Sequence, residues 1–246
     1  MEFDIITYSL IGTSFLISGF VKGIVGLGLP TISLALLTTL FDLPTAMVLL
    51  VVPSFCTNIW QGVVGGNTLI LIQRLWPLLL VATLMVSVGV VLSEVFETAL
   101  LTRALGVVLV LYSLVSLYGL SLFISYSSET WLAPICGLLN GALTGLTGCL
   151  FMPGVIYLQA IGLPRDQLVQ AMGLLFALST LALGVSLQGT GRISPELWQI
   201  STLALLPAFI GMKIGSFCRK HLSEDLFRRI FLSCLAALGF YITSGY

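Results

Sequence analysis

No charged residue occurs between Leu43 and Gln73, between Ala104 and Ser128, or between Thr130 and Pro164. A hydrocarbon slab of about 30 Å takes roughly 20 apolar residues per helix, so each interval has room for one or two crossings. The rest of the chain agrees. Of its 246 residues, 58% are hydrophobic and only 8% charged, ten basic against ten acidic, whereas a soluble domain carries roughly 25% charged residues. The runs are continuously apolar rather than alternating, which speaks against a membrane barrel. The composition leaves no stretch for a soluble domain, and the expected fold class is an all-α polytopic membrane protein.

Hydropathy and helix breakers place spans near Ile5–Val25, Ala46–Val64, Leu75–Leu92, Ala99–Phe123, Trp131–Thr147, Gln167–Leu187, Leu197–Phe217 and Leu226–Thr243. Two further apolar pieces, Thr31–Phe41 and Leu150–Ile161, are too short to cross alone at about 1.5 Å per residue and read as half-helices or re-entrant segments. Met1-Glu-Phe-Asp lacks the basic start of a signal peptide, so the first helix is expected to be retained. Lys213, Arg219, Lys220, Arg228 and Arg229 crowd the link between the last two spans, which places that link in the cytoplasm. Counting back through eight crossings puts Arg103 and Arg165 inside, and Arg74, Arg192 and both termini outside. If the short pieces cross fully, each half has five spans and the halves are inverted. The second half's assignments hold under either count.

The two halves align in order. Gly19 and Gly23 match Gly137 and Gly141 at an offset of 118, Leu43-Pro44 matches Leu163-Pro164 at 120, Leu75-Trp76 and Gly89 match Leu197-Trp198 and Gly211 at 122, and Arg103 matches Arg229 at 126. Isolated Gly and Leu matches are cheap in membrane helices, but ordered matches over several spans indicate duplication. The expected organisation is a first membrane repeat over residues 1–125 and a second over 126–246, each with about four helices and one Gly/Pro-broken segment. Duplicated carriers bind substrate where repeats meet, often at discontinuous helices.

The broken segments are the candidate site. G-F-V-K-G-I-V-G-L-G-L-P, from Gly19 to Pro30, sets one lysine and four glycines in an otherwise uncharged run, and a related stretch spans Gly137–Pro153. A dehydrated oxyanion needs donors that replace water. Glycine lets backbone N–H groups approach, and half-helix N-termini add positive potential. The candidate binding residues are Lys22, Gly26, Gly28 and Thr31 at the first break, Asn140, Thr144, Gly145, Thr147 and Gly148 at the second, and Asn58 with Gln61 between them. Lys22 supplies a full charge, and its counterpart Asn140 is a neutral donor. Alternatives stay open: Lys22 can instead snorkel to the interface, Asn58 and Gln61 can bond neighbouring helices, and the threonines can bond their own helix carbonyls. The pairs Gly19/Gly23 and Gly137/Gly141 can also serve helix packing alone.

Taken together, G-x-x-x-G-x-x-G-x-G-L-P, Pro53-Ser-Phe-Cys-Thr-Asn-Ile-Trp-Gln61, and Gly141-Ala-Leu-Thr-Gly-Leu-Thr-Gly148 with Pro153 and Tyr157 resemble the TauE/SafE family of sulfite exporters over nearly the whole chain. The resemblance implies an inner-membrane carrier for sulfur-containing anions such as sulfite, thiosulfate or organosulfonates. Thr144 and Thr147 stand where more glycines are common in the family.

Five cysteines, Cys56, Cys136, Cys149, Cys218 and Cys234, show no C-x-x-C spacing and read as buried free thiols; the single histidine, His221, has no metal-ligating company. No catalytic constellation or nucleotide loop is visible, so no enzyme activity and no cofactor are expected. Expected partners are a small anion and membrane lipid, not nucleic acid. No Asp or Glu lies well inside a span, so the carboxylate relays of proton-coupled pumps are missing. The function expected is a secondary carrier, more plausibly an exporter. A thiol redox protein and a passive anion channel are the competing readings.

Overall fold

The structure, a computed structural model, describes residues 4–26, 28–118, 123–191, 194–219 and 223–245. Arg192, Lys220 and His221, invoked above for orientation and metal chemistry, lie outside these residues, as do residues 119–122 of the helix expected over Ala99–Phe123. The described residues form eleven helices and no strand: α1 (Ile5–Val25), α2 (Leu29–Thr38), α3 (Leu43–Val63), α4 (Thr68–Ser93), α5 (Thr98–Tyr118), α6 (Tyr126–Thr147), α7 (Gly154–Ala160), α8 (Arg165–Gly189), α9 (Pro195–Leu203), α10 (Leu205–Cys218) and α11 (Glu224–Ser244). Seven are long and apolar enough to cross a membrane, counting α9 and α10 as one. The protein is a multi-pass, all-α membrane protein. The 22-residue α6, expected as a span, is long enough but less apolar than those seven. Both short pieces are separate helices, of 10 residues for α2 and 7 for α7.

Local chemistry sets several boundaries. α1 begins where the Asp4 carboxylate accepts from the Thr7 N–H at 2.9 Å and the Thr7 hydroxyl at 2.6 Å, a side-chain cap for otherwise unpaired amides. The span expected over Leu197–Phe217 is interrupted at Ala204, between α9 and α10. Pro207 accounts for the break: it has no N–H for the Leu203 carbonyl, and its ring crowds that oxygen.

Pro53 does the same inside α3, freeing the Leu49 carbonyl. Hydrocarbon offers no water to replace the lost bond, so a neighbouring side chain has to. Ser201 of α9, fully buried, donates to Leu49 O at 2.9 Å and accepts from the Val52 N–H at 3.2 Å.

The chain divides into two compact units, Met1–Pro53 with Thr98–Tyr118 and Ile193–Tyr246, and Ser54–Glu97 with Gly119–Arg192. Each unit draws on both 1–125 and 126–246. In the first, α1 and α10 run parallel with glycines facing backbone. A Cβ on Gly19 would collide with Ala208 O and one on Gly23 with Met212 O, while Gly211 and Gly215 stand in the same relation to Leu16 O and Phe20 O. Antiparallel α5 and α11 meet at Gly106 and Gly239, and Arg228 of α11 donates to Ser116 O at 3.1 Å near the end of α5.

In the second unit α6 runs parallel to α4. A Cβ on Gly137 would lie 2.7 Å from Leu78 O, and Cβ atoms on Gly141 and Gly145 would collide with Ala82 O and Val86 O. Small residues let the backbones approach, which is how helices gain packing energy in lipid. At the start of this pair Arg74 makes a two-pronged ion pair with Glu129, at 2.6 and 3.0 Å. α8 is also parallel to α4, joined by Gln170 Nε2 to Thr68 Oγ1 at 2.9 Å and Ser186 to Ser87 at 2.8 Å. With α6 and α8 pointing the same way, residues 148–164 must return the chain between them. At about 1.5 Å per helical and about 3.3 Å per extended residue, their length suffices.

Ser201→Ala leaves the Leu49 carbonyl without its donor in an anhydrous setting. Reversible unfolding in detergent is expected to show a loss of about 1–2 kcal/mol, above the roughly 0.6 kcal/mol typical of an interhelical hydrogen bond.

Candidate functional site

Each sequence half carries one Gly/Pro-broken segment, and the two are built differently. In the first unit α1 ends at Gly26, whose φ of 81° suits glycine and whose N–H reaches Lys22 O at 2.8 Å. Gly28, with φ of 114°, precedes α2, and Pro30 stands in the first turn where its missing N–H costs nothing. Lys22 lies one turn before the break at 4% exposure, and Thr31, just after it, is buried as well. The first unit thus gathers Lys22, Gly26, Gly28 and Thr31 around one interruption.

In the second unit α6 ends at Gly148, φ 75°, its N–H on Thr144 O at 2.8 Å. Asn140 then buckles the gap. Its Nδ2 donates to Leu150 O at 3.2 Å and its Oδ1 accepts from Gly154 N–H at 2.9 Å, tying the end of α6 to the start of α7. Gly154 has to be glycine, because a Cβ would lie 2.7 Å from both Asn140 Oδ1 and Leu175 Cδ2. The Thr144 hydroxyl lies 2.8 Å from both Asn140 O and Cys149 O, and Thr147 donates to Leu143 O while accepting from Cys149 N–H at 3.3 Å. In this arrangement the polar groups expected to face an anion bind the chain's own backbone. Gly145 faces Val86 O on α4, and Gly148 supplies the turn.

Gln61 addresses α8, and Asn58 a serine of its own helix. Gln61 Nε2 donates to Val169 O at 2.7 Å, and Asn58 Nδ2 to Ser54 Oγ at 3.0 Å. Ser54 in turn lies 3.3 Å from Thr180 Oγ1, which donates to Phe176 O at 2.6 Å. Ser54, Thr57, Asn58 and Thr180 are all fully buried, forming a neutral polar cluster on α3 and α8. Only Asn58 of this set was singled out from sequence. Its position four residues after Ser54, on one helical face, is the signal that marks the cluster.

Among the described residues Lys22 and Glu129 are the buried ionisable groups of opposite sign, and Glu129 is engaged by Arg74. All five cysteines are free, with Cys149 buried and Cys234 exposed.

Asn140→Ala removes a donor and an acceptor together, leaving Leu150 O and Gly154 N–H unpaired. The expected destabilisation is about 2–4 kcal/mol, against about 1 kcal/mol for Thr147→Ala, both read from unfolding in detergent.

No curated protein and no solved structure matches the chain. A family comparison does: the sulfite exporter TauE/SafE model matches residues 10–242, from the second turn of α1 to the last turn of α11. With that coverage, laid on a multi-pass helical fold with a glycine-turned break in each half, the chain belongs to the TauE/SafE family of sulfite exporters.

Proposed function

We propose that this protein is a secondary carrier that exports small sulfur-containing anions, sulfite, thiosulfate or an organosulfonate, by alternating access where its two sequence halves meet. Family membership implies sulfur-anion transport across a membrane; substrate, direction and mechanism are the further reading. The observation that carries it is the interrupted helix beside Lys22, a buried ammonium next to a glycine-turned break and a second helix beginning at Leu29. A buried cation in a membrane span marks a polar path or a ligand by default.

Two features support alternating access. Each compact unit pairs the glycine-faced first helix of one half with the fourth helix of the other, α1 with α10 and α6 with α4. Residues 148–164 return the chain between parallel α6 and α8, as a five-pass half would require, and two five-pass halves are inverted relative to each other. Duplication of that kind gives a carrier two states of similar energy. Export fits the charge inventory. An inside-negative potential favours anion exit by about 2.3 kcal/mol per charge per 100 mV, and Glu129, the buried carboxylate among the described residues, is held in an ion pair with Arg74.

Purified protein melted with sulfite, thiosulfate, sulfate, sulfoacetate and taurine tests the reading, since a ligand that binds only the native state stabilises it by about 2.7 kcal/mol at a hundredfold excess over Kd. A sulfur oxyanion is expected to raise the melting temperature, and Lys22→Gln to weaken that response about tenfold or more through loss of a charged donor. Unchanged binding in Lys22→Gln would make Lys22 an anchor only. In proteoliposomes, anion efflux is expected to change when the imposed potential is reversed.

A further inference from the structure

Ten of the eleven helices belong wholly to one compact unit. α3 does not: its residues up to Pro53 belong to the first unit and those from Ser54 to the second. The unit boundary therefore falls inside a helix, at the residue that has no N–H to bond the carbonyl one turn back. The other connections between the units, at Glu97–Thr98, Tyr118–Gly119 and Arg192–Ile193, fall between one described helix and the next.

Each half of α3 is bolted to its own unit. Before Pro53, Ser201 of α9 donates to Leu49 O at 2.9 Å and accepts from the Val52 N–H at 3.2 Å. After it, Ser54 Oγ lies 3.3 Å from Thr180 Oγ1 on α8, Gln61 Nε2 donates to Val169 O at 2.7 Å, and Gln170 Nε2 donates back to Gly62 O at 3.0 Å. The two backbones touch there, since a Cβ on Gly173 would lie 2.6 Å from Gly62 N. Firm grips on either side concentrate bending at the residue between them, and prolines are where helices bend.

Bending a helix in hydrocarbon ordinarily strips backbone groups that no water can cover. At Pro53 that loss is covered in advance. The Leu49 carbonyl and the Val52 amide, on the first unit's side of the joint, are both held by Ser201 from within that unit, so these bonds do not depend on the angle at Pro53. Pro77 of α4 and Pro134 of α6 also stand inside helices, but each of those helices lies in the second unit alone.

We propose that Pro53 is a hinge in α3 about which the two compact units change their mutual angle during transport. Its use in transport rests on the carrier reading above, whereas its motion is measurable with no substrate present. Alternating access needs bodies that rock on a joint, and a joint whose hydrogen bonds survive bending keeps the two states close in energy.

Double electron–electron resonance tests the motion. One spin label is placed on Cys234 of α11, exposed in the first unit, and one on Leu84→Cys of α4, exposed in the second, with the other four cysteines changed to alanine. With Pro53 in place the distance distribution is expected to be broad or two-peaked. Pro53→Ala, which restores an N–H for Leu49 O, is expected to narrow it, and Pro53→Gly, which loosens the backbone instead, to keep it broad. In proteoliposomes, sulfite efflux is expected to fall about tenfold in Pro53→Ala while its sulfite Kd stays within about threefold of wild type, and Pro134→Ala is expected to keep efflux within about twofold. A narrow distribution with Pro53 in place, or one that Pro53→Ala leaves unchanged, overturns the hinge. So does wild-type efflux in Pro53→Ala, or an equal loss in Pro134→Ala. If Pro53→Ala does not fold, Pro53→Val, nearer in volume, is held to the same criteria. Wild-type protein that neither binds nor moves a sulfur oxyanion removes the carrier reading, and the distance measurement then decides the hinge alone.

Discussion

Every backbone N–H and C=O inside a bilayer has to be satisfied by the protein itself, and each irregularity of this fold is shaped by that demand. Pro53 frees a carbonyl in α3, and the Ser201 hydroxyl takes it up from α9. The gap after α6 persists because Asn140 supplies a donor to one side and an acceptor to the other. The gap after α1 closes on Gly26 and reopens at Gly28, with Pro30 seated where no amide is needed. At these three places a specific group, or the absence of one, covers the loss.

The glycine stripes follow from the same solvent. Lipid gives helices no hydrophobic reason to associate, so close backbone approach has to provide it. Gly19, Gly23, Gly211 and Gly215 do this between α1 and α10, and Gly137, Gly141 and Gly145 do it along α4. The pairs Gly19/Gly23 and Gly137/Gly141 read equally well from sequence as packing or as binding elements; the structure sets them against carbonyls of a neighbouring helix. Lys22 stands apart from that stripe, buried beside the break.

Much of the architecture was legible from residue order. α1 has the limits Ile5–Val25 that hydropathy gave it, and the two short apolar pieces are short helices set off by Gly and Pro. What escaped depended on partners remote in the chain. Arg74 and Glu129 are 55 residues apart and Ser201 and Leu49 are 152 apart, so no local pattern announces either pair. The interruption at Ala204 was readable in principle, since Pro207 sits in the middle of an apolar run. Hydropathy averaged over it. At the candidate site, Asn58 was visible as a lone amide in grease, but Ser54 looks like an ordinary small helix residue until burial shows it in a relay.

The pairing of α1 with α10 has a bearing on how the chain is made. The Ser216 hydroxyl that leans on Gly23 O lies 193 residues downstream of it. During synthesis, α1 enters the bilayer long before α10 leaves the ribosome. Until then the Gly19 and Gly23 face of α1 lacks its partner α10, and neither compact unit can be completed by the amino-terminal portion alone. The first unit accordingly waits for the last three helices, whereas the second has all its helices once α8 has been made.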